Sequence, residues 1–402
     1  MVARWQVLPG HVLEWLRKLQ DDSVNIIFTS PPYWAMRDFG LPPTIWGDGW
    51  KGCLGLEPTL DLFIAHLVEI FAESRRVLHP SGTLWVDMGD SYFDGKLKGA
   101  GLKAKDLMGV PWRLALALQK DGWWLRNDII WCKALDRSRQ ERQAQAEVEQ
   151  ALSFVRQAAS GSLFGLDTDT DKALKRAEKA VARLVMAGGA MPGSQLDRCT
   201  MTHEYLMVCS KSDRYYWDRQ AIRDDGRGAL TVWRVPPETH KPYILPGGEE
   251  VAHFATFPRA LPDRAIRAGT SRHGVCSGCG APYERIIKPS PEYAKLLGRD
   301  WADYEQDAKE GRGHSVSGQR TTKRGQAATA EYITTGWKPT CECQGQEIKR
   351  PVVMDIFAGT GQTLLAGLDQ DCDVIGIDLS EQYCRLSNAR CEAWPEALPE
   401  RR

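Results

Sequence analysis

The sequence predicts an α/β fold built on a largely parallel sheet. Two observations carry this. Helical and strand-like patterns alternate through the first 133 residues, and a strand–turn–helix–strand piece occupies residues 350–380. At 402 residues, 43% of them hydrophobic, the chain has room for one large domain or two ordinary ones.

The elements follow in order. "GHVLEWLRKL" has the apolar spacing of an amphipathic helix. "NIIFTSPPYW" (Asn25–Trp34) begins as a buried strand, and Pro31 and Pro32 end it because neither can donate to a ladder. "DLFIAHLVEIFAESRRVL" reads as a longer helix closed by Pro80 and Gly82, and "GTLWVDMG" as a strand. "VPWRLALALQKDG" is a helix with Pro111 in its first turn and Gly122 at its end. "WWLRNDIIWCK" is again a strand.

Residues 134–190 break this rhythm. Two runs at helical spacing flank "GSLFGLDTDTD", where Thr168 and Asp171 are placed as a capping box. The segment reads as a helical-hairpin insertion. It is either an arm that touches DNA or forms a homodimer, or a solvated decoration. "HEYLMVCSKSDRYYWD", residues 203–218, resumes strand character. Residues 271–349 form a second, irregular insertion. Within it, polar and Gly-rich residues 305–330 read as a mobile loop. The expected divisions are therefore 1–133, 134–190, 191–270, 271–349 and 350–402.

Composition narrows the function. Lys plus Arg and Asp plus Glu are 52 each, so any nucleic-acid surface must be a local patch. Fifteen tryptophans supply core and also surfaces on which bases stack. "MVARWQVLPG" lacks the apolar stretch of a signal peptide, and no apolar run approaches membrane-spanning length. A cytoplasmic protein away from membranes is expected, in which eleven cysteines are no disulfide framework.

Two patterns carry chemistry by spacing. In "VVMDIFAGTGQT", Gly359 and Gly361 let backbone pass close to a ligand. About twenty residues on, "VIGIDLS" puts Asp378 at a strand end, where an acid takes ribose hydroxyls. There is no GxxxxGK[ST] loop, so an adenosine ligand without a pyrophosphate fits best. An ordinary tight turn is the plain alternative. Separately, "CSGCG" and "CEC" provide Cys276, Cys279, Cys341 and Cys343, the makings of a structural zinc site of four thiolates. Four free thiols or a redox pair are the other readings.

Together "FTSPPYW", "GTLWVDMGDSY", "HEYLMVCSKSDRYYWD", "HFATFP" and "DIFAGTGQT" resemble the ordered motif set of amino-group DNA methyltransferases. With the catalytic motif first and the cofactor motif last, the chain resembles the β class. The resemblance implies a Rossmann-like methyltransferase sheet in that circular order, with the helical hairpin and a small zinc-ribbon-like module inserted. It implies S-adenosylmethionine as cofactor and double-stranded DNA as partner, with any restriction endonuclease a separate chain. By the same resemblance Asp355, Phe357, Gly359, Gly361 and Asp378 contact the cofactor, and Phe257 and Pro258 close over it. His11 stands where the family often has Asp and receives no role. Between two motifs usually near each other, the cysteine module is an insertion, expected to be held against DNA by Arg312, Arg320, Lys323 and Arg324.

The chemistry explains the Pro-Pro loop. An exocyclic amino group is a poor nucleophile because its lone pair is delocalised into the ring. Ser30 offers a hydroxyl oxygen and Pro31 a carbonyl to its hydrogens, while Pro31 and Pro32 remove competing N–H donors. Tyr33 can stack on a flipped base. Ser30 as the loop's first residue favours cytosine N4, by resemblance, over adenine N6. An RNA or protein-amide methyltransferase and a non-catalytic DNA-binding regulator are the competing classes.

Overall fold

The chain is described from a computed structural model over residues 4–97, 101–133, 197–223, 229–238, 242–245, 247–251, 256–291, 293–294 and 331–394. The expected helical hairpin, the loop at 305–330 and the four basic residues on it lie outside these residues.

The elements run β1 (Trp5–Pro9), α1 (Val12–Leu16), β2 (Val24–Thr29), β3 (Thr44–Ile45), β4 (Lys51–Gly52), α2 (Leu60–Val77), β5 (Leu78–Met88), α3 (Val110–Lys120), β6 (Trp124–Cys132) and β7 (His203–Ser210). They continue β8 (Val232–Arg234), β9 (Tyr243–Ile244), β10 (Glu250–Val251), α4 (Ala260–Gly269), β11 (Val275–Cys276), β12 (Tyr283–Pro289), β13 (Tyr332–Pro339), β14 (Ile348–Lys349), β15 (Val352–Asp355), α5 (Gln362–Asp369), β16 (Asp373–Asp378) and α6 (Glu381–Glu392).

One eight-stranded sheet, ordered β1-β16-β15-β2-β5-β7-β6-β8, unites the two ends of the chain. All neighbours are parallel except β7, which is antiparallel to both β5 and β6. Strand β2 is buried along its whole length. Its side chains alternate between two cores, as a pleated strand requires. Ile26 and Phe28 join Trp85, Val208 and Val353 beneath α4 and α5. Ile27 joins Leu84, Val86 and Met354 beneath α2, which contributes Phe63, Leu67, Ile70 and Phe71. Both faces being covered explains why Ile26–Phe28 at the centre of β2 are consecutive apolar residues.

One boundary differs from expectation. Helix α2 ends at Val77, and Pro80 and Gly82 lie inside β5 rather than closing the helix. The first part of β5 meets β2 through an irregular register, Val24 opposite Leu78 and then Ile26 opposite Thr83. Pro80 sits exposed in that irregular stretch, so its missing N–H costs no ladder bond.

Because β1, β16, β15, β2 and β5 run parallel, the chain leaves all five at one edge of the sheet. β15 and β2 are neighbours there, yet they lead to α5 and α2 on opposite faces. A crevice forms at such a reversal.

Candidate active site

That crevice opens into a cavity of about 840 Å³. Ser30, Pro31, Pro32 and Tyr33 line it from the end of β2, Phe357 and Gly359 from the end of β15, Asp378 from the end of β16, and Phe257 from the segment before α4. The Ser30–Tyr33 loop and the Gly-bearing turn, more than 300 residues apart in sequence, thus share one space.

Three expected cofactor residues sit behind the wall instead of on it. Asp355 is fully buried and accepts hydrogen bonds from Thr29 Oγ1 (2.7 Å), Thr363 Oγ1 (2.7 Å) and the Phe357 N–H (3.1 Å). It braces the turn between β15 and α5 against β2. Gly361 has φ +79° and caps α5, where a Cβ would stand 3.0 Å from Ser387 Oγ. Pro258 is buried, and its carbonyl accepts the Leu261 N–H in the first turn of α4.

Asp378 holds the turn from the other side. Its two carboxylate oxygens accept the Gly359 and Ser380 N–H groups, each at 2.8 Å. Burial pushes the Asp378 carboxyl up to about 6, and the two N–H bonds oppose that shift.

Residues without a role in the sequence reading complete the cavity. His11 enters from the end of β1, edge-on to Trp46 at 5.2 Å, and burial lowers its pKa below the ordinary imidazole value. Asp87 comes from the end of β5, Trp131 and Lys133 from the end of β6, and Glu204 from the start of β7. Tyr33 donates its hydroxyl to Glu204 Oε2 at 2.6 Å, and Lys133 pairs with the other oxygen of the same carboxylate. The Lys133 ammonium also lies 4.8 Å from the centre of the Trp131 ring. The Tyr33 phenol is held well above its usual range, first by burial and then by Glu204. Burial, and next Glu204, raise the Asp87 carboxyl well above the usual carboxylate range. Asp87 Oδ1 is buried with no hydrogen-bond partner among the described residues. An acceptor left this way at a cavity wall is a group awaiting a ligand. Asp87, Trp131, Lys133 and Glu204 stood in stretches already read as strands and His11 at the start of an expected helix; what was missing was which strand ends meet.

The four cysteines Cys276, Cys279, Cys341 and Cys343 also converge, all four sulfurs lying within 4.8 Å of one another. They do so at the other edge of the sheet, beside the strand starts. Among the described residues no helix is long and apolar enough to cross a membrane.

Comparison with known proteins decides the family. The N6/N4 DNA methylase family model matches residues 24–277. The chain belongs to this family. The Type II methyltransferase M.Cfr9I of Citrobacter freundii is 35% identical to this methylase over 285 residues, 65% of this chain and 71% of its own. M.SmaI of Serratia marcescens, also a Type II methyltransferase, is 32% identical over 295 residues, 67% of this chain and 76% of its own. The DNA adenine methyltransferase YhdJ of Escherichia coli is 35% identical over 81 residues, 20% of this chain and 23% of its own. Among solved structures, PvuII DNA methyltransferase (cytosine-N4-specific) aligns with a TM-score of 0.49 at 14% identity, covering 96% of this chain and 86% of that one.

Proposed function

We propose that this methylase is a Type II, S-adenosylmethionine-dependent enzyme that modifies an exocyclic amino group of a base flipped out of double-stranded DNA, cytosine N4 ahead of adenine N6. The observation that carries the reading is the single cavity onto which the Ser30–Tyr33 loop and the Gly359–Asp378 turn both open. Its volume lies in the range of small-molecule and cofactor sites.

The wall suits the cofactor. Asp378 offers lone pairs beyond the two N–H groups it already accepts, matching ribose hydroxyls. Phe257 and Phe357 offer apolar surface, and Gly359 allows close backbone approach. When bound, S-adenosylmethionine supplies a sulfonium methyl group open to in-line displacement. The chain's own residues ready the other partner. Ser30 Oγ and the Pro31 carbonyl accept the amino hydrogens and orient the nitrogen. Tyr33, fixed by Glu204 and Lys133, stacks on the base. Asp87, whose Oδ1 has no partner among the described residues, stands at the cavity wall as a further polar group for the base to meet.

Ser30 at the head of the loop favours cytosine N4 through the resemblance to amino-group DNA methyltransferases. The match to an adenine methyltransferase keeps N6 as the second reading. The Type II designation of two relatives supports a reading in which the enzyme works in the cytoplasm beside a separate endonuclease.

The test is incubation of the protein with labelled cofactor and duplex DNA, RNA or protein, followed by mass spectrometry of nucleosides. N4-methylcytosine in DNA is the expected product. N6-methyladenine overturns the choice of base, and label only in RNA or protein overturns the DNA assignment.

A further inference from the structure

We propose that Cys276, Cys279, Cys341 and Cys343 bind one zinc ion as four thiolates, and that this ion clasps the base of the central sheet at the edge opposite the catalytic cavity. The inference is independent of the reaction.

The geometry points to a metal. Four sulfurs lie within 4.8 Å of one another. Zinc with thiolates at about 2.3 Å in a tetrahedron places its sulfurs about 3.8 Å apart, so the cluster is within about an ångström of closing on an ion. Two separate segments deliver the ligands. The first is a tight turn in which the Gly280 N–H reaches the Cys276 carbonyl and the Cys276 N–H the Ala281 carbonyl, both at 2.8 Å. Gly280 holds φ +78° there, a conformation that favours glycine. Antiparallel pairing of β11 with β14 and of β12 with β13 brings the second segment alongside. A redox pair would need only two thiols. A tetrahedral all-sulfur set selects zinc or iron, and four thiolates fill the coordination of a structural zinc.

The location assigns the role. The Cys279 carbonyl is 3.2 Å from His79 Nε2, near the start of β5. The Gly280 carbonyl accepts from Asn25 Nδ2 at 3.1 Å, and Oδ1 of the same amide accepts the Val352 N–H at 2.9 Å. One turn of the cysteine module is therefore tied to the starts of β5, β2 and β15. These are the strands whose far ends carry Asp87, Ser30 and the Phe357–Gly359 turn. Since such a site does not exist in the unfolded chain, the free energy of metal binding becomes free energy of folding.

The test begins with metal analysis of the purified full-length protein. One zinc per chain is expected, with the four thiols slow to react with a thiol reagent until a chelator is added. Cobalt exchanged into the site should give the intense visible bands of tetrahedral cobalt–thiolate coordination, a readout separate from activity. Cys343→Ser should lose the ion and melt at lower temperature, whereas Cys199→Ser, an exposed cysteine outside the cluster, should do neither. If Cys343→Ser does not fold, the metal content and cobalt spectrum of the native protein still decide. A native protein without metal, iron in place of zinc, a disulfide between any two of the four, or zinc retained in a Cys276→Ser/Cys343→Ser double variant overturns the proposal.

Discussion

Tyr33 and Glu204 should act as one unit, and a double-mutant cycle can measure it. Tyr33→Phe keeps the ring for stacking and removes only the hydroxyl that Glu204 accepts at 2.6 Å. Glu204→Gln keeps the shape and removes the charge. The Glu204 side chain is 14% exposed, so solvent screens this bond little. A hydrogen bond to a charged acceptor contributes about 1.5–3 kcal/mol. If the bond serves to hold Tyr33 against the base, its loss should lower turnover about tenfold to about 150-fold. The losses in the double variant should not multiply, because Tyr33→Phe removes the bond that Glu204→Gln weakens. Lys133 loses its charged partner in Glu204→Gln, so melting temperature must be followed alongside rate. Single-turnover methylation with saturating cofactor and DNA reads the chemical step, and calorimetry should find cofactor affinity unchanged. Turnover within twofold of wild type in Tyr33→Phe, or losses that multiply in the double variant, would refute the reasoning.

Other expectations are shorter to state. Ser30→Ala should bind cofactor normally yet turn over slowly, since the lost acceptor matters where charge develops; equal turnover removes Ser30 from the mechanism. Asp378→Asn places an amide N–H₂ where only acceptors fit the Gly359 and Ser380 N–H groups, so cofactor affinity should fall about tenfold or more by calorimetry. Asp355 has its carboxyl raised from 3.8 to about 6, chiefly by burial. Its contribution to stability is full below its unfolded value and is lost as pH rises through the folded one, between about 4 and 6. Asp355→Asn should therefore flatten the melting profile in that window, and parallel profiles for variant and wild type would show that the group is not strained.

The parts of the site legible in the sequence were those carried by local pattern. Pro31 and Pro32 after an apolar run mark a strand exit whatever the fold, and Gly359 with Asp378 marks a close approach. Asp355 shows the limit. A carboxylate at a strand end looks the same in sequence whether it faces a ligand or two threonines, and here Thr29 and Thr363 claim it. His11, Asp87, Lys133 and Glu204 were illegible for another reason. Each is unremarkable locally, and only the order of strands brings β1, β5, β6 and β7 to one edge. Pro80 misled because its missing N–H is a breaker signal in a regular ladder but harmless in the irregular start of β5.

The pairing of the chain's two ends governs when the protein can exist at all. Strand β2 takes β15 as a neighbour, Ile26 beside Val353, and among the described residues β1 pairs only with β16, Trp5 beside Val374. On the ribosome, β1 and β2 emerge first and their partners last. Until β15 and β16 are synthesised, β1 is orphaned and β2 presents a bare edge, a template for joining other chains. Such long-range parallel pairing is slow and leaves the nascent chain dependent on protection from aggregation. A chain that stops before Val352 has the Ser30–Tyr33 wall of the cavity without the Phe357–Gly359 and Asp378 wall that faces it.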